Sequence, residues 1–488
     1  MIIKFSNLGA IKETELDLRP LTVIIGPNNS NKTYIAYSVY GLWKTLLSTL
    51  SSERDYEPTF GFWDAEEIQP FITVDDTTVR CQWDNVQKHL WRKIVVEATN
   101  IFRQELANYY QDSSGKIFSL TQFSIFDTMP DVLTAVQKLP PSYSEYLGCR
   151  VSVENNEIVA RLHPSQPTET GRRSIPLRLN GHTMIRIMDV LFERLFSRPI
   201  ILPAERNAFI LTYKLLQHKR FLLFRDQQIG RFSSKEAMRQ LDVRREQGDI
   251  RFPEPVEDFL DSLTEIELSG TINNEEGRAF QEIASLIEKE IQGNHRTQFR
   301  QTRLGGKELV VKVSKDLTID LYNASSSIKQ LAPLLLYLRY RARENDLLII
   351  DEPEMNLHPE SQVKLLEILA MLVNAGVKVL LTTHSPYFLA HLNNLAQDEE
   401  KPESVRKRQA TSLYLKDPRA FLSMEQVSAY EMKDNELVSL KDPDYGIRWD
   451  TLSDVSVDVN RKYFEIYEKG KVNGRARKSK QTAQTEAG

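Results

Sequence analysis

The 488-residue sequence has little cysteine, no excess of positive charge and no long apolar run. Two cysteines, Cys81 and Cys149, are too few for a disulfide framework or a cysteine-rich metal site. The net charge of −4 excludes a polycation, so any contact with nucleic acid would need a local basic face. No apolar stretch approaches the roughly 18 residues that span a bilayer, and no signal-like segment opens the chain. We therefore predict a cytoplasmic protein that does not contact a membrane.

The remaining composition is that of a globular chain, 41% apolar and long enough for two or more lobes. Short apolar runs predict strands in the first 25 residues, whereas residues 34–145 read as mainly helical. The segment "CRVSVENNEIVARL" predicts a hairpin that turns at Asn155 and Asn156. Two apolar strands, "DLLIID" and "VKVLLTT", flank a helical segment, which is the β-α-β order of a parallel sheet. The predicted fold class is α/β.

The stretch "VIIGPNNSNKTY", residues 23–34, nearly matches a phosphate-binding loop. Such a loop surrounds an anion with backbone N–H groups and a helix N-terminus, while a lysine neutralises charge and a hydroxyl ligates Mg²⁺. Gly26, Lys32 and Thr33 would supply these parts. Asn31 stands where the pattern G-x-x-x-x-G-K-[ST] has its second glycine. Because asparagine tolerates left-handed backbone angles, we expect the loop to form.

Two later strands end in side chains that could act on a bound phosphate. "LLIIDEP" ends in Asp351 and Glu352, of which one can hold Mg²⁺ and the other can orient or deprotonate the attacking water. "VLLTTHSPYF" ends at His384, which can reach the γ-phosphate or that water. An acidic pair at a strand end, taken alone, is more often a solvated terminus. The order of the three motifs therefore carries the prediction.

This ordered set resembles the ABC ATPase superfamily, specifically its soluble heads, and implies an ABC ATPase head with a β-rich nucleotide lobe, a parallel-sheet core, a helical lobe and an inserted helical arm. In that resemblance Asp351 is the Walker B aspartate, Glu352 the catalytic base and His384 the switch histidine. The segment "EMNLHPE", residues 354–360, stands for the D-loop, with Asn356 near its centre.

Residues 323–331, "NASSSIKQL", occupy the place of the ABC signature, although the sequence L-S-G-G-Q is absent. Ser325 or Ser326 would be the serine that contacts phosphate, and the alternative is a plain serine cap at a helix start. If the signature assignment holds, one protomer completes the site of another, so the resemblance implies a homodimer or a higher ring. Asn31 and the altered signature favour slow hydrolysis.

The resemblance implies ATP and Mg²⁺ as cofactors. The expected metal ligands are Thr33 and Asp351, and the expected catalytic residues are Glu352 and His384. The expected ATP-contacting residues are Gly26, Pro27, Asn28, Asn29, Ser30, Asn31, Lys32, Thr33, Ser325, Ser326 and Asn356.

Together with "GPNNS", "DEPE" and "THSPYF", the segment "LPAERNAF", residues 202–209, resembles bacterial heads similar to the overcoming-lysogenization-defect family. Stand-alone heads of this kind resemble the ATPases of the anti-phage PARIS and Septu systems, which implies control of a separate nuclease or toxin effector. The alternative is an SMC-like or RecF-like ATPase that binds DNA in repair or chromosome maintenance. The segment 214–251 contains ten Lys/Arg and five Asp/Glu and could bind DNA or a DNA-mimicking protein. A nuclease within this chain, suggested only by "KDPDYG", and a transporter subunit are weaker alternatives.

We predict six segments along the chain. They are an N-terminal part of the ATPase lobe (1–45), a helical and β insert lobe (46–195), a core strand with the "PAER" motif (196–213), a helical arm (214–300), the C-terminal ATPase core (301–468) and a disordered basic tail (469–488).

Overall fold

A computed structural model describes residues 1–50, 69–75, 78–126, 132–137, 149–162, 196–215, 252–268, 275–302, 307–397, 402–442, 446–448, 458 and 461–467. The strands are β1 (Ile2–Leu8), β2 (Ile11–Asp17), β3 (Leu21–Ile25), β4 (Ile72–Val74), β5 (Thr78–Gln82), β6 (Gln122–Phe126), β7 (Cys149–Glu154), β8 (Glu157–Leu162), β9 (Pro199–Leu202), β10 (Arg296–Gln301), β11 (Lys307–Lys312), β12 (Thr318–Asp320), β13 (Leu347–Asp351), β14 (Lys378–Thr383), β15 (Ala396–Gln397), β16 (Leu422–Ser423), β17 (Val427–Lys433), β18 (Glu436–Ser439), β19 (Lys441–Asp442) and β20 (Gly446–Ile447). The helices are α1 (Lys32–Leu50), α2 (Trp83–Tyr109), α3 (Val132–Gln137), α4 (Glu254–Leu268), α5 (Glu275–Glu290), α6 (Ser326–Tyr340), α7 (Pro359–Asn374), α8 (Pro386–Leu395) and α9 (Glu403–Ala410).

A six-stranded sheet organises the molecule, with the strand order β18-β17-β3-β14-β13-β9. All neighbours pair in parallel except β17 and β18, which form an antiparallel hairpin at one edge. The strands β3 ("LTVII") and β13 ("LLIID") are buried at every position, as expected for parallel strands covered by helices on both faces. The fold class is therefore confirmed as α/β.

Local sequence explains where the helices that flank this sheet begin. Ser325 caps α6, since its hydroxyl accepts a hydrogen bond from the Ile328 amide at 3.4 Å. At α7, His358 accepts from the Glu360 amide and Pro359 occupies the first turn, where its missing N–H is not needed. The helix predicted after the serine run and the β-α-β order of β13, α7 and β14 are both confirmed.

A second, smaller apolar core lies apart from the main one. It is built by the four-stranded sheet β4-β5-β8-β7 with α2 and α3, and includes Trp83, Ile94 and Ile158. The hairpin β7–β8 turns at Asn155 and Asn156, as the sequence predicted, and both residues have left-handed φ angles, of 51° and 62°. Most of its residues lie between positions 46 and 195, the range predicted for the insert lobe.

Two expectations about the chain's middle part differ from the structure. The stretch 34–145, read as mainly helical, also contains β4, β5 and β6, and β6 extends the sheet β2-β1-β6 by pairing with β1. That pairing is non-local, so sequence periodicity did not reveal it. Helices α4 and α5, assigned to the arm, instead pack into the main core, where Phe259 and Ile287 are buried.

Most of the basic segment, residues 216–251, and the predicted tail 469–488 lie outside the described residues. At the start of the segment, Lys214 forms an ion pair with Glu267 at 3.1 Å. Within the described ranges, no helix combines the length and apolar character that crossing a bilayer requires.

Candidate functional site

The carboxyl ends of four adjacent parallel strands carry the motifs found in the sequence. Strand β3 leads into the loop 26–31, β14 ends before His384, β13 ends at Asp351, and β9 leads into the "PAER" segment. Ligand sites in open α/β sheets lie beyond these strand ends. Segments that are distant in sequence therefore meet at the carboxyl end of the sheet.

The loop between β3 and α1 has the backbone of an anion cradle. Helix α1 begins at Lys32, so its first N–H groups face the loop. Gly26 is tightly enclosed, because a Cβ there would lie 2.9 Å from the Cβ of Met432. Asn31 has a φ of 67°, the left-handed conformation expected of it, and its side-chain amide donates to Asn435 Oδ1 at 3.0 Å. Asn31 thus adopts the backbone of the missing glycine and also ties the loop to the β17–β18 hairpin.

The Lys32 ammonium is buried inside this loop. Its Nζ donates to the carbonyl oxygens of Gly26 (3.1 Å) and Pro27 (2.8 Å) and to Ser30 Oγ (3.3 Å). Burial lowers the pKa of Lys32, while the nearby carboxylates of Glu352 and Asp351 oppose that shift. A desolvated cation held among backbone oxygens is suited to exchange those contacts for phosphate oxygens.

Thr33 and Asp351 form a hydroxyl–carboxylate pair next to the lysine. Thr33 Oγ1 donates to Asp351 Oδ2 at 3.0 Å, and Thr382 donates to the other carboxylate oxygen. Burial raises the pKa of Asp351, although both hydroxyl hydrogen bonds favour the charged form. One hydroxyl and one carboxylate fit Mg²⁺, which usually takes one or two protein ligands and completes its shell with water and substrate phosphates.

Glu352 and His384 contact each other across the ends of β13 and β14. His384 Nε2 lies 2.9 Å from Glu352 Oε1, and His384 Nδ1 lies 3.5 Å from Lys32 Nζ. An ionised carboxylate only accepts hydrogen bonds, so a neutral ring with its proton on Nε2 satisfies both contacts. Glu354 holds the chain where β14 ends, since its Oε1 accepts hydrogen bonds from the His384 amide at 2.6 Å and from Thr383 Oγ1 at 2.7 Å.

These side chains line an open cavity of about 550 Å³. Its lining residues are Asn28, Asn29, Ser30, Asn31, Lys32, Thr33, Tyr34, Glu352 and His384. The volume is within the range of small-molecule sites. The same cavity is therefore lined by most of the predicted loop residues, by Glu352 and by His384.

The other predicted contacts lie in different places. Gly26 and Pro27 contribute carbonyl oxygens to Lys32, and Asp351 lies behind Thr33. Ser325 and Ser326 are exposed at the start of α6, and Asn356, with a φ of 60°, is exposed after β13. The structure does not bring these three to the cavity of the same chain.

Several contributors were not assigned from the sequence. Thr382 and Glu354 hold the ends of the two strands, and their positions in "TTHS" and "DEPE" were the available signal. Arg206, in the "PAER" segment, is buried beneath the site, and its role is visible only from its contacts.

A family model matches part of this chain. Residues 226–389 match the model of a family described as AAA ATPase domain, a range that includes Asp351 and His384 but not the loop. No match was found among curated protein sequences. The ATPase prediction is therefore supported for the C-terminal part of the site.

Three similar solved structures are heads of SMC proteins. One is an Smc head bound to the C-winged helix domain of ScpA (12% identity, covering 90% of this chain and 97% of that chain, TM-score 0.32). A second, from Pyrococcus furiosus, is an Smc head with an extended coiled coil bound to the C-terminal domain of ScpA (12% identity, 94% and 98% coverage, TM-score 0.30). The third is the SMC head domain from Thermotoga maritima (10% identity, 80% and 90% coverage, TM-score 0.28).

Proposed function

We propose that the protein binds ATP and hydrolyses it to ADP and phosphate. The observation that carries this proposal is the convergence of Lys32, the Thr33–Asp351 pair and the Glu352–His384 pair at the ends of three neighbouring strands. Each contact joins residues separated by more than 30 positions in sequence, and together they supply the parts that phosphoryl transfer requires.

The loop and the lysine bind the phosphates. Backbone N–H groups of the loop and the start of α1 surround the negative charge, and Lys32 turns from its loop carbonyls toward phosphate oxygens. Thr33 and Asp351 are the residues that would hold Mg²⁺, which when bound would neutralise charge on the phosphates. The 3.0 Å hydrogen bond from Thr33 Oγ1 to Asp351 Oδ2 supports this assignment, because it keeps the two oxygens together.

Glu352 activates the attacking water. A carboxylate at hydrogen-bond distance from the water accepts its proton as the oxygen attacks the γ-phosphorus, and the bond to the β-phosphate oxygen breaks. His384 donates its Nε2–H to the Glu352 carboxylate in the nucleotide-free site and, beside Lys32, donates it to the γ-phosphate when ATP is bound. The left-handed φ of 48° at Glu352 is a local strain of the kind found at functional sites.

The active form is a homodimer or a higher ring whose ATP sites are shared between protomers. The exposure of Ser325 and Ser326 at the start of α6 supports this arrangement, because exposed side chains at a helix N-terminus are accessible to the phosphates of a second chain. The exposed Asn356 lies in the segment expected to stand for the D-loop. Hydrogen bonding of Ser325 to Ser327 and to the Ile328 amide presents a preformed cap at this surface.

At a finer level, nucleotide-dependent assembly controls a separate nuclease or toxin effector in anti-phage defence. The motif set "GPNNS", "DEPE" and "THSPYF" supports this role. Coexpression with the product of the neighbouring open reading frame should give an ATP-dependent complex by mass photometry. Salt-sensitive binding of plain duplex DNA by the isolated protein would instead favour the SMC-like or RecF-like alternative.

Hydrolysis and binding can be tested separately with Glu352→Gln. Steady-state phosphate release by the wild-type protein should require Mg²⁺ and fall by about 100-fold or more in the variant, since the water loses its base. Binding of a fluorescent ATP analogue should remain within about threefold, because Glu352 acts on the water rather than on the phosphates. Equal hydrolysis rates in both proteins would refute the assignment of Glu352.

A further inference from the structure

Arg206 is a buried cation that the proposed reaction does not use directly. Its side chain is 2% exposed, and burial lowers the pKa of the guanidinium to about 10. In the part of the chain that the structure describes, its hydrogen bonds run to backbone carbonyls and one side-chain amide rather than to a carboxylate. Removing a charge from water is costly in free energy, so a buried guanidinium indicates a role in the fold or the site.

The contacts of Arg206 join three elements of the site. Its Nη1 donates to the carbonyl of Pro203, after β9, and to the carbonyl of Asp351 at 2.7 Å. Its Nη2 donates to the carbonyl of Glu352 at 3.1 Å, and its Nε donates to the carbonyl of Gln330 in α6 at 3.1 Å. With its amide oxygen facing the guanidinium, the Gln330 side chain also accepts from Nη2 at 2.7 Å.

Two of these acceptors are consecutive carbonyls on either side of the proposed base. Glu352 has a backbone φ of 48°, a conformation that residues other than glycine and asparagine rarely adopt. The guanidinium holds the carbonyls of Asp351 and Glu352, while the Glu352 amide donates to the Thr382 carbonyl at 3.1 Å. The direction of the Glu352 carboxylate is therefore set by a backbone that Arg206 keeps in place.

The same guanidinium also reaches α6, the helix that Ser325 caps. Gln330 is fully buried and lies five positions after Ser325, so both belong to the first part of one helix. A displacement of α6 would move the Gln330 carbonyl and amide against Arg206. The guanidinium is thus the direct link between the serine-capped helix and the backbone of Glu352.

We infer that Arg206 is a positioning residue that holds Glu352 in its working conformation and couples it to helix α6. This inference rests on the proposed function, because it assigns Arg206 an effect on the base of that reaction. A planar group with five donors can hold several carbonyls at once, whereas the lysine ammonium is a compact group with a different geometry. Arginine at this position is therefore not interchangeable with lysine.

The test compares Arg206→Lys with a matched control, Arg339→Lys. Arg339 is also buried, but it lies in α6 and bonds to Glu288 at 2.6 Å and to the Thr297 carbonyl instead of to the strand ends that carry the site. Both variants lose a buried guanidinium and should lose melting temperature. Only Arg206→Lys should lower kcat, by at least about 10-fold, with the Kd for a fluorescent ATP analogue within about threefold.

A second variant covers the case in which Arg206→Lys does not fold. Gln330→Leu keeps the size of the side chain and the backbone carbonyl but removes the amide acceptor, and it should lower kcat by about threefold or more without changing the Kd. Unchanged kcat in the folded variants, with wild-type hydrolysis present, would overturn the positioning role alone. Absence of hydrolysis by the wild-type protein would overturn the proposed function and this inference together.

Discussion

The replacement Lys32→Met tests the phosphate loop most sharply, because it removes the ammonium and keeps most of the aliphatic side chain. The Nζ atom has three oxygen partners between 2.8 and 3.3 Å in the loop. In the bound state, phosphate oxygens would take the place of some of these partners. Hydrogen bonds to charged groups contribute about 1.5–3 kcal/mol each. The loss of one or two such bonds, about 3 kcal/mol in total, corresponds to a roughly 100-fold weaker Kd for ATP.

Titration of a fluorescent ATP analogue measures this change, and Lys44→Met provides the control. Lys44 lies in the same helix α1 but pairs with Glu254 (2.6 Å) and Asp258 (2.7 Å), away from the loop. Its replacement should lower the melting temperature and leave the Kd unchanged. A Kd for Lys32→Met within about threefold of wild type, in a folded protein, would refute the assignment of the loop.

Two further predictions concern the loop and the metal ligand. Asn31→Gly should keep the Kd for ATP within about threefold of wild type, since glycine readily adopts the observed φ. Asn31→Val should raise the Kd at least about tenfold, because β-branched residues disfavour that conformation. Similar Kd values for the two variants would contradict this interpretation. Asp351→Asn should abolish hydrolysis and raise the melting temperature at pH 7, because burial raises the pKa of the carboxyl and its ionised form therefore destabilises the fold. This gain in melting temperature should vanish as the pH falls below the unfolded-state pKa of about 3.9, because the wild-type carboxyl is then neutral in the folded and the unfolded protein. The same difference in melting temperature at pH 7 and pH 3.5 would contradict the prediction.

The parts of the site that local sequence patterns encode were predictable. Apolar runs identified β3, β13 and β14, and the motifs at their carboxyl ends indicated that Lys32, Asp351 and His384 are neighbours across the sheet. Parallel pairing explains this success, since side chains at the carboxyl ends of adjacent strands meet without further information. The left-handed backbone of Asn31 followed from the residue type alone.

The parts that depend on distant backbone atoms could not be predicted. Arg206 bonds to the carbonyls of Asp351 and Glu352, some 145 positions away, and a carbonyl leaves no trace in the choice of residue. The contact between Asn31 and Asn435 spans 404 positions. Strand β6 was likewise hidden in a stretch read as helical, because its partner β1 lies at the start of the chain.

The most direct measurement of the central claim is an experimental structure of Glu352→Gln with ATP and Mg²⁺. We expect the γ-phosphate to contact Lys32 and His384, the metal to be held by Thr33 and Asp351, and the triphosphate to lie along the loop before α1. The serine-capped start of α6 from a second protomer should approach the same phosphate. Nucleotide bound elsewhere on the protein, or no nucleotide at saturating ATP, would contradict the account.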